Sequence, residues 1–364
     1  MKILMITPSL SKKWGGTTTS LMNFYKGLIA VNSVECNIAS VITPDEQGEI
    51  DEEILSNSDF TLFNTDKSFW RNSKQLNDFL KTNAKQYDLI WIHTLWTGAT
   101  YNAAKYANKY NIPYILTPHG MIEPSSLERK AIKKKLYWSL VEKKIFDRAA
   151  AIHCITEAES LFSKELSNTT TFVIPNAVQE QPFIDKEYAS INKICFIGRF
   201  HEKKALDLLL QALAKVDDIN LLVAGGGDKE YEEYIYSLVE KTGLKDRVEF
   251  KGFADESLKK WIYTNSAFLV LPSHTEGLSM VGLESVMHST PVLTTKKCNF
   301  DEVEQYNAGM VMETNTPETI KEYILKMFAA DIKQMSENAY QLANEKYSID
   351  SVTKMMLKKL KTII

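Results

Sequence analysis

Cysteine is scarce in this chain. Four occur in 364 residues, Cys36, Cys154, Cys195 and Cys298, and they are far apart and mostly inside apolar runs. They fit neither a disulfide framework nor a zinc site, so a reducing, cytoplasmic compartment is expected. Long hydrophobic runs are absent as well. Without a stretch of about 18 apolar residues, no membrane-spanning helix is expected. The opening "MKILMITPSL" carries one lysine and an apolar run that stops at Pro8. It is too short for a signal sequence and reads as a buried strand. Excess charge of one sign is missing too. The net charge of −3 gives no reason to expect a nucleic-acid partner. There is no Asp-x-Asp, no Gly-x-Ser-x-Gly, no Walker-type loop and no His/Cys/carboxylate cluster at metal spacing.

What is present is a repeated grammar of strands and helices. The first half gives "KILMIT", a loop containing Gly15 and Gly16, then a helical "TTTSLMNFYKGLIA". "YDLIWIH", "TGATYNAAKYANKY" and "IPYILTPHG" follow in the same alternation. The second half repeats it with "NKICFIGRF", "KKALDLLLQALAKV", "INLLVAGGGD", "KEYEEYIYSLVEKTG", "RVEFKG", "ESLKKWIYTN", "AFLVLPS" and "PVLTT". Such alternation predicts α/β architecture with parallel sheets covered on both faces. At roughly 100–200 residues per domain the length suggests two. The expected division is 1–175 and 176–345, with a last helix at about 346–364 packing back on the first domain. Ligands of such sheets sit beyond the carboxyl ends of the strands. That directs attention to the loops around Gly16, His93, His119, Arg199, Gly225–Gly227, Gly252 and Glu276.

"HTEGLSMVGLE" places Glu276 and Glu284 eight positions apart around a small, apolar middle. A helix starting near Ser279 would aim its free N–H groups at an anion. Eight helical residues span about 12 Å, which suits a central phosphate with hydroxyl-bearing rings on either side. A dipole-stabilising first acid and a surface second acid would give the same spacing. Arg199 and Lys204 in "GRFHEKKALDLLLQA" form either a clamp for a diphosphate or a solvated loop. Gly225 and Gly227 in "AGGGD" suit close backbone approach to a nucleotide or merely a flexible turn. His93 and His119 each follow a strand, where a neutral imidazole can bond a sugar or a carbonyl.

Together these elements resemble the family-4 retaining glycosyltransferases. They run in order: "GG" after the first strand, "TPHGMIEP", "VIPNAV", "GRFHEKKALDLLLQA", "VAGGGD", "VEFKGF" and "PSHTEGLSMVGLESVMHSTPVLTT". The resemblance implies the GT-B fold, two Rossmann-like doubly wound domains facing across a cleft, with the acceptor on the first and a nucleotide-sugar donor on the second. It implies that Glu276 contacts the donor sugar and Glu284 the ribose. The amides of Leu278, Ser279, Met280 and Val281, with Gly277, meet the sugar and diphosphate. Arg199 and Lys204 hold the diphosphate, Gly16 lies beside the phosphates and His119 beside the donor sugar. Gly225 and Gly227 line the donor side, while His93 and Asn176 are placed toward the acceptor. No metal and no other cofactor is implied. The family usually has glycine where this chain has Ala205, so a slightly reshaped helix start is expected.

The implied reaction moves a hexose or related sugar from a UDP- or GDP-sugar to a saccharide acceptor in surface-polysaccharide assembly. Two other readings share the fold, a UDP-sugar 2-epimerase and a non-catalytic nucleotide-sugar-binding subunit. The segment 126–148 bears Arg129, Lys130, Lys133, Lys134, Lys135, Lys143, Lys144 and Arg148, interleaved with Leu136, Trp138, Leu140 and Ile145. It reads equally as a helix lying on the inner face of a membrane, near a lipid-pyrophosphate acceptor, or as a solvated amphipathic helix packed on its own domain.

Overall fold

Lys2–Thr7 (β1) is apolar from Ile3 to Ile6, as a strand covered on both faces must be. Leu4 and Ile6 enter one core and Ile3 and Met5 the other. The computed structural model describes residues 1–65, 70–128 and 131–364, with the main chain only at 125, 128, 131 and 189. Two compact units make up the chain, Met1–Ala177 with Ile349–Ile364, and Val178–Ser348. The first division therefore falls just past residue 175, and the last helix rejoins the first unit at Ile349.

In the first unit β1 is joined by Glu35–Ile42 (β2), Phe60–Asn64 (β3), Leu89–His93 (β4), Tyr114–Thr117 (β5), Ala151–Cys154 (β6) and Thr171–Val173 (β7). The order is β3-β2-β1-β4-β5-β6-β7, and every pair is parallel. The second unit contains Lys193–Ile197 (β8), Asn220–Ala224 (β9), Val248–Phe250 (β10), Leu269–Leu271 (β11), Val292–Thr295 (β12) and Gly309–Met312 (β13). Its order is β10-β9-β8-β11-β12-β13, again all parallel. Both sheets are doubly wound, as the alternating pattern predicts. Each reverses direction once, between β1 and β4 and between β8 and β11. In doubly wound sheets, ligands bind beyond the carboxyl ends of the strands at such a reversal. Gly16 and His93 follow the first pair, and Arg199, Lys204 and Glu276 follow the second.

The helix Ile349–Leu360 is held in the first unit by burial of Ile349, Val352, Met356 and Leu360 in the core that also takes Leu21, Phe24 and Leu28 of the helix Gly16–Ile29. Gly27 makes the close crossing possible. A Cβ there would lie 1.9 Å from Thr353 Oγ1 and 3.0 Å from Ile349 Cγ2. In an open helix Gly→Ala stabilises by about 1 kcal/mol. Here the sign reverses, because overpacking of this kind costs about 1–3 kcal/mol. Gly27→Ala is expected to lower the thermal midpoint, and Thr353→Ala in the same chain to recover part of the loss. A double-mutant cycle by thermal denaturation measures that coupling.

Candidate active site

β11 ends at Leu271, and the chain then runs through Ser273, Glu276 and Gly277 to the helix Met280–Met287, whose N-cap is Ser279. Leu278, Ser279 and Met280 are buried. Among the described residues, the N–H groups of Leu278, Ser279, Met280 and Val281 donate to no acceptor. Unclaimed amides at a helix N-terminus attract an anion. Asn299, in the left-handed conformation, fixes the approach by donating from Nδ2 to the carbonyls of Glu276 (2.7 Å) and Gly277 (3.0 Å).

Glu276 does not face open water. Its Oε1 is paired with Lys204 Nζ and accepts from Ser273 Oγ at 2.9 Å. Lys204 arrives from the loop after β8, so the ion pair spans the point where the sheet reverses. Glu284 is likewise enclosed, its side chain 11% exposed, and not the surface acid its spacing also allowed. Lys259 Nζ lies 3.0 Å from Oε1, and Tyr263 Oη is 3.4 Å from Oε2. Burial pushes the Glu284 carboxyl up, and Lys259 opposes the rise. Arg199 is exposed and forms no hydrogen bond or ion pair among the described residues. Nothing in "ESLKKWIYTN" marks Lys259 as the partner of Glu284, and sequence reasoning missed it.

Ala205 takes φ 52, ψ 38 and is fully buried. It holds the left-handed turn that glycine adopts freely, at about 1–2 kcal/mol. The turn is thus kept, and the helix Leu206–Leu213 follows at once. The glycines after β9 also have a packing reason. A Cβ on Gly225 would sit 1.9 Å from Gly198 O, and one on Gly227 2.0 Å from Phe200 O. Their small size lets the loops after β8 and β9 bond each other, through Phe200 N–H to Gly226 O at 2.9 Å.

In the first unit the loop from Pro8 to Gly16 is braced by Glu46, 2% exposed. Glu46 accepts from Arg71 at both oxygens (2.7 and 2.9 Å) and from Ser9 Oγ and Trp14 Nε1 (each 3.1 Å). Gly15, at φ 54 and ψ −126, occupies backbone space open only to glycine and starts the helix that Gly16 opens. His93 Nδ1 is 2.9 Å from His119 Nε2. Burial, with the like charges of neighbouring histidines, holds His119 down to about 3 and His93 well below its usual value. Both rings are neutral at pH 7, so His119 can form a hydrogen bond but carries no charge. Gly120 N–H donates to the buried Glu159 at 2.5 Å, fixing the turn on which His119 sits. His93 is fully enclosed, and Asn176 is buried and accepts from Ser20 Oγ at 2.6 Å.

A second cluster follows β4. Glu142, 1% exposed, accepts from Trp96 N–H at 2.7 Å, while its Oε2 has no partner among the described residues. Burial raises this carboxyl to about 7, partly offset by the Trp96 bond.

Free helix amides, two basic residues and two enclosed glutamates at one carboxyl edge suit an anionic, polyhydroxylated ligand. Residues 178–342 match the family described as glycosyl transferases group 1, and residues 14–181 match glycosyltransferase family 4. An uncharacterized glycosyltransferase of Methanocaldococcus jannaschii is 26% identical over 95% of this chain and 94% of its own length. A D-inositol 3-phosphate glycosyltransferase of Mycobacterium sp. (strain JLS) is 24% identical over 57% of this chain and 51% of its own. Among solved structures, Anabaena HepE in complex with UDP and glucose has a TM-score of 0.77 at 16% identity, covering both chains fully. Sucrose-phosphate synthase of Thermosynechococcus elongatus reaches 0.81 at 17%, covering 100% of this chain and 99% of that one. The fold is GT-B. The chain is a glycosyltransferase, with a family-4 N-terminal part and a group-1 C-terminal part.

Glu46 and Glu142 give opposite pH signatures. Burial pushes Glu46 up, but the bonds from Arg71 and Thr43 prevail and hold it at about 2. Its contribution is present above the unfolded value, about 4.3, and is lost as pH falls toward 2. Glu142 is raised, so its burden grows from about pH 4.3 and is complete above pH 7. Glu142→Gln is expected to match wild type near pH 4 and to exceed it in thermal midpoint at pH 7.5. Parallel melting curves across that range test this.

Proposed function

We propose that this glycosyltransferase is retaining and metal-independent, and moves a hexose or related sugar from a UDP- or GDP-linked donor to a saccharide acceptor. The observation that carries the reading is the Lys204–Glu276 pair beside the unclaimed amides of Leu278 to Val281. The diphosphate fits against those amides, with Arg199 and Lys204 as its counter-charges. Glu276 takes the sugar hydroxyls, Glu284 the ribose, and His119, uncharged, a further sugar hydroxyl. Gly16, Gly225, Gly227 and Gly277 shape the loops around the donor.

The C1–O bond to the distal phosphate breaks, and a C1–O bond to the acceptor forms on the same face. The acceptor's proton passes to the departing phosphate oxygen. Negative charge grows on the diphosphate, where fixed cations and helix amides stabilise it with little rearrangement. In the free enzyme Lys204 and Glu276 neutralise each other. As the donor enters, Lys204 turns to phosphate and Glu276 is released to accept sugar hydroxyls. The acceptor is lipid-linked in our reading, and the pathway builds a surface polysaccharide at the cytoplasmic face of a membrane.

Glu276→Gln is expected to abolish transfer, yet to bind free UDP or GDP at least as tightly as wild type, because Lys204 loses its competitor. Lys204→Met should weaken the same nucleotide about 10- to 100-fold, the worth of a charge-assisted hydrogen bond. Isothermal titration with both nucleotides, and transfer assays with UDP- and GDP-sugars, provide the measurements. Full transfer by Glu276→Gln refutes the assignment, and product formed from donor without acceptor would favour the epimerase.

A further inference from the structure

The helical stretch 131–148, made of Ala131–Tyr137, a π turn Trp138–Glu142 and Lys143–Arg148, has two unlike faces. The inner face is occupied. Trp138 packs on Phe146 with ring centroids 4.8 Å apart, Ile145 is 6% exposed, and Lys134 lies over the Trp96 ring. Of the apolar residues interleaved with the basic ones, Trp138 and Ile145 therefore belong to the fold. Arg129 and Lys130 lie outside the described residues. The outer face is not covered. Ile132 is 87% exposed, and Leu136 and Leu140 are each 61% exposed. Their spacing of four aligns them in one stripe. Lys133, Lys135, Lys143 and Lys144 are exposed around it.

We infer that this stripe is an interfacial membrane anchor, and that its occupant is an anionic lipid surface. Three exposed aliphatic side chains in one row are unfavourable in water, and lysines around them suit lipid headgroups by charge. Their long stems let the ammonium groups stay among the headgroups while the aliphatics enter the acyl boundary. A second copy of this chain fits less well, since a two-fold contact through the stripe would bring like-charged lysines together. No helix among the described residues is long and apolar enough to cross a membrane, so the stretch lies on the surface and does not span it. The inference deepens the lipid-linked-acceptor reading and rests on it for its purpose, though not for its evidence.

Co-sedimentation of the full chain with vesicles separates the outcomes. Wild type is expected to pellet with vesicles containing phosphatidylglycerol, to stay in solution with pure phosphatidylcholine, and to be released as salt rises. Leu136→Ser/Leu140→Ser should lose at least tenfold in partitioning. Lys133→Glu/Lys135→Glu should lose about 25-fold or more, about fivefold for each lysine near an anionic surface. All four positions are exposed, so unchanged melting curves verify the fold. Transfer to a water-soluble acceptor should be unaffected in both variants. Equal pelleting of wild type and the leucine variant overturns the inference, and so does binding indifferent to lipid charge. A concentration-dependent dimer abolished by the leucine variant would overturn it in favour of self-association. Failure of the transferase reading would instead leave vesicle binding intact and transfer absent.

Discussion

A carboxylate taken out of water must be met by a cation or by hydrogen-bond donors, and that requirement organises the carboxyl edges of both sheets. Glu276 is met by Lys204, Glu284 by Lys259, and Glu46 by Arg71. Glu159 is met by two main-chain N–H groups, from Gly120 and Ile155. Each partnership joins separate elements. Lys204–Glu276 ties the loop after β8 to the loop after β11, and Glu46–Arg71 ties the loops after β2 and β3 to the glycine loop after β1. Removing one member would strand the other, so each pair constrains the position of a loop more than it adds stability.

The same arithmetic gives the active site its poise. A lysine left alone at that edge would attract any passing anion, and a glutamate left alone would resist burial. Paired, they neutralise each other, and in the function proposed above a donor presenting both a diphosphate and hydroxyls would satisfy them separately. A ligand with only one of those features leaves one member unpaired. On the function proposed above, selectivity for the whole donor over its fragments would follow from exchanging this ion pair for two separate contacts.

Much of this was legible in the sequence, for physical reasons. Apolar strands such as "KILMIT" and "AFLVLPS" can only be covered on both faces, and helical spacing between them forces parallel pairing. The positions where each sheet reverses follow from strand order, which the sequence does not print. Pair partners were not legible. Lys259 sits in a helix with an ordinary amphipathic pattern, and Glu46 and Arg71 lie in unrelated polar loops. Gly225 and Gly227 read either as ligand glycines or as a flexible turn, and no spacing showed that they pack against Gly198 and Phe200 in the loop after β8. Which apolar residues of the basic helix pack inward was not legible either: Trp138 and Ile145 do, while Leu136 and Leu140 stay exposed. One-dimensional spacing gives the side of a helix a residue occupies, but not which side the rest of the chain will cover.

The distribution of backbone strain argues for the same edge. Positive φ at Asn111, Gly243, Ser289 and Asn307 occurs where helices end, an ordinary way to close one. Thr94, Trp96, His119, Ala205 and Asn299 are different. They are not glycine, they do not terminate α-helices, and all lie in loops that leave the carboxyl ends of β4, β5, β8 and β12. Thr94 is β-branched, for which this conformation is a true outlier. Left-handed residues of this kind cost about 1–3 kcal/mol each and persist only where surrounding contacts hold them. The contacts that do so here include Glu142 on Trp96, Glu159 on Gly120 next to His119, and the Asn299 side chain on the carbonyls of Glu276 and Gly277. Arg71, after β3, belongs with this group, whereas Asp218 (φ 58) lies before β9 on the opposite edge. Five left-handed residues in the loops after β4, β5, β8 and β12, held by buried carboxyls and amides, fix the course of those loops independently of any ligand.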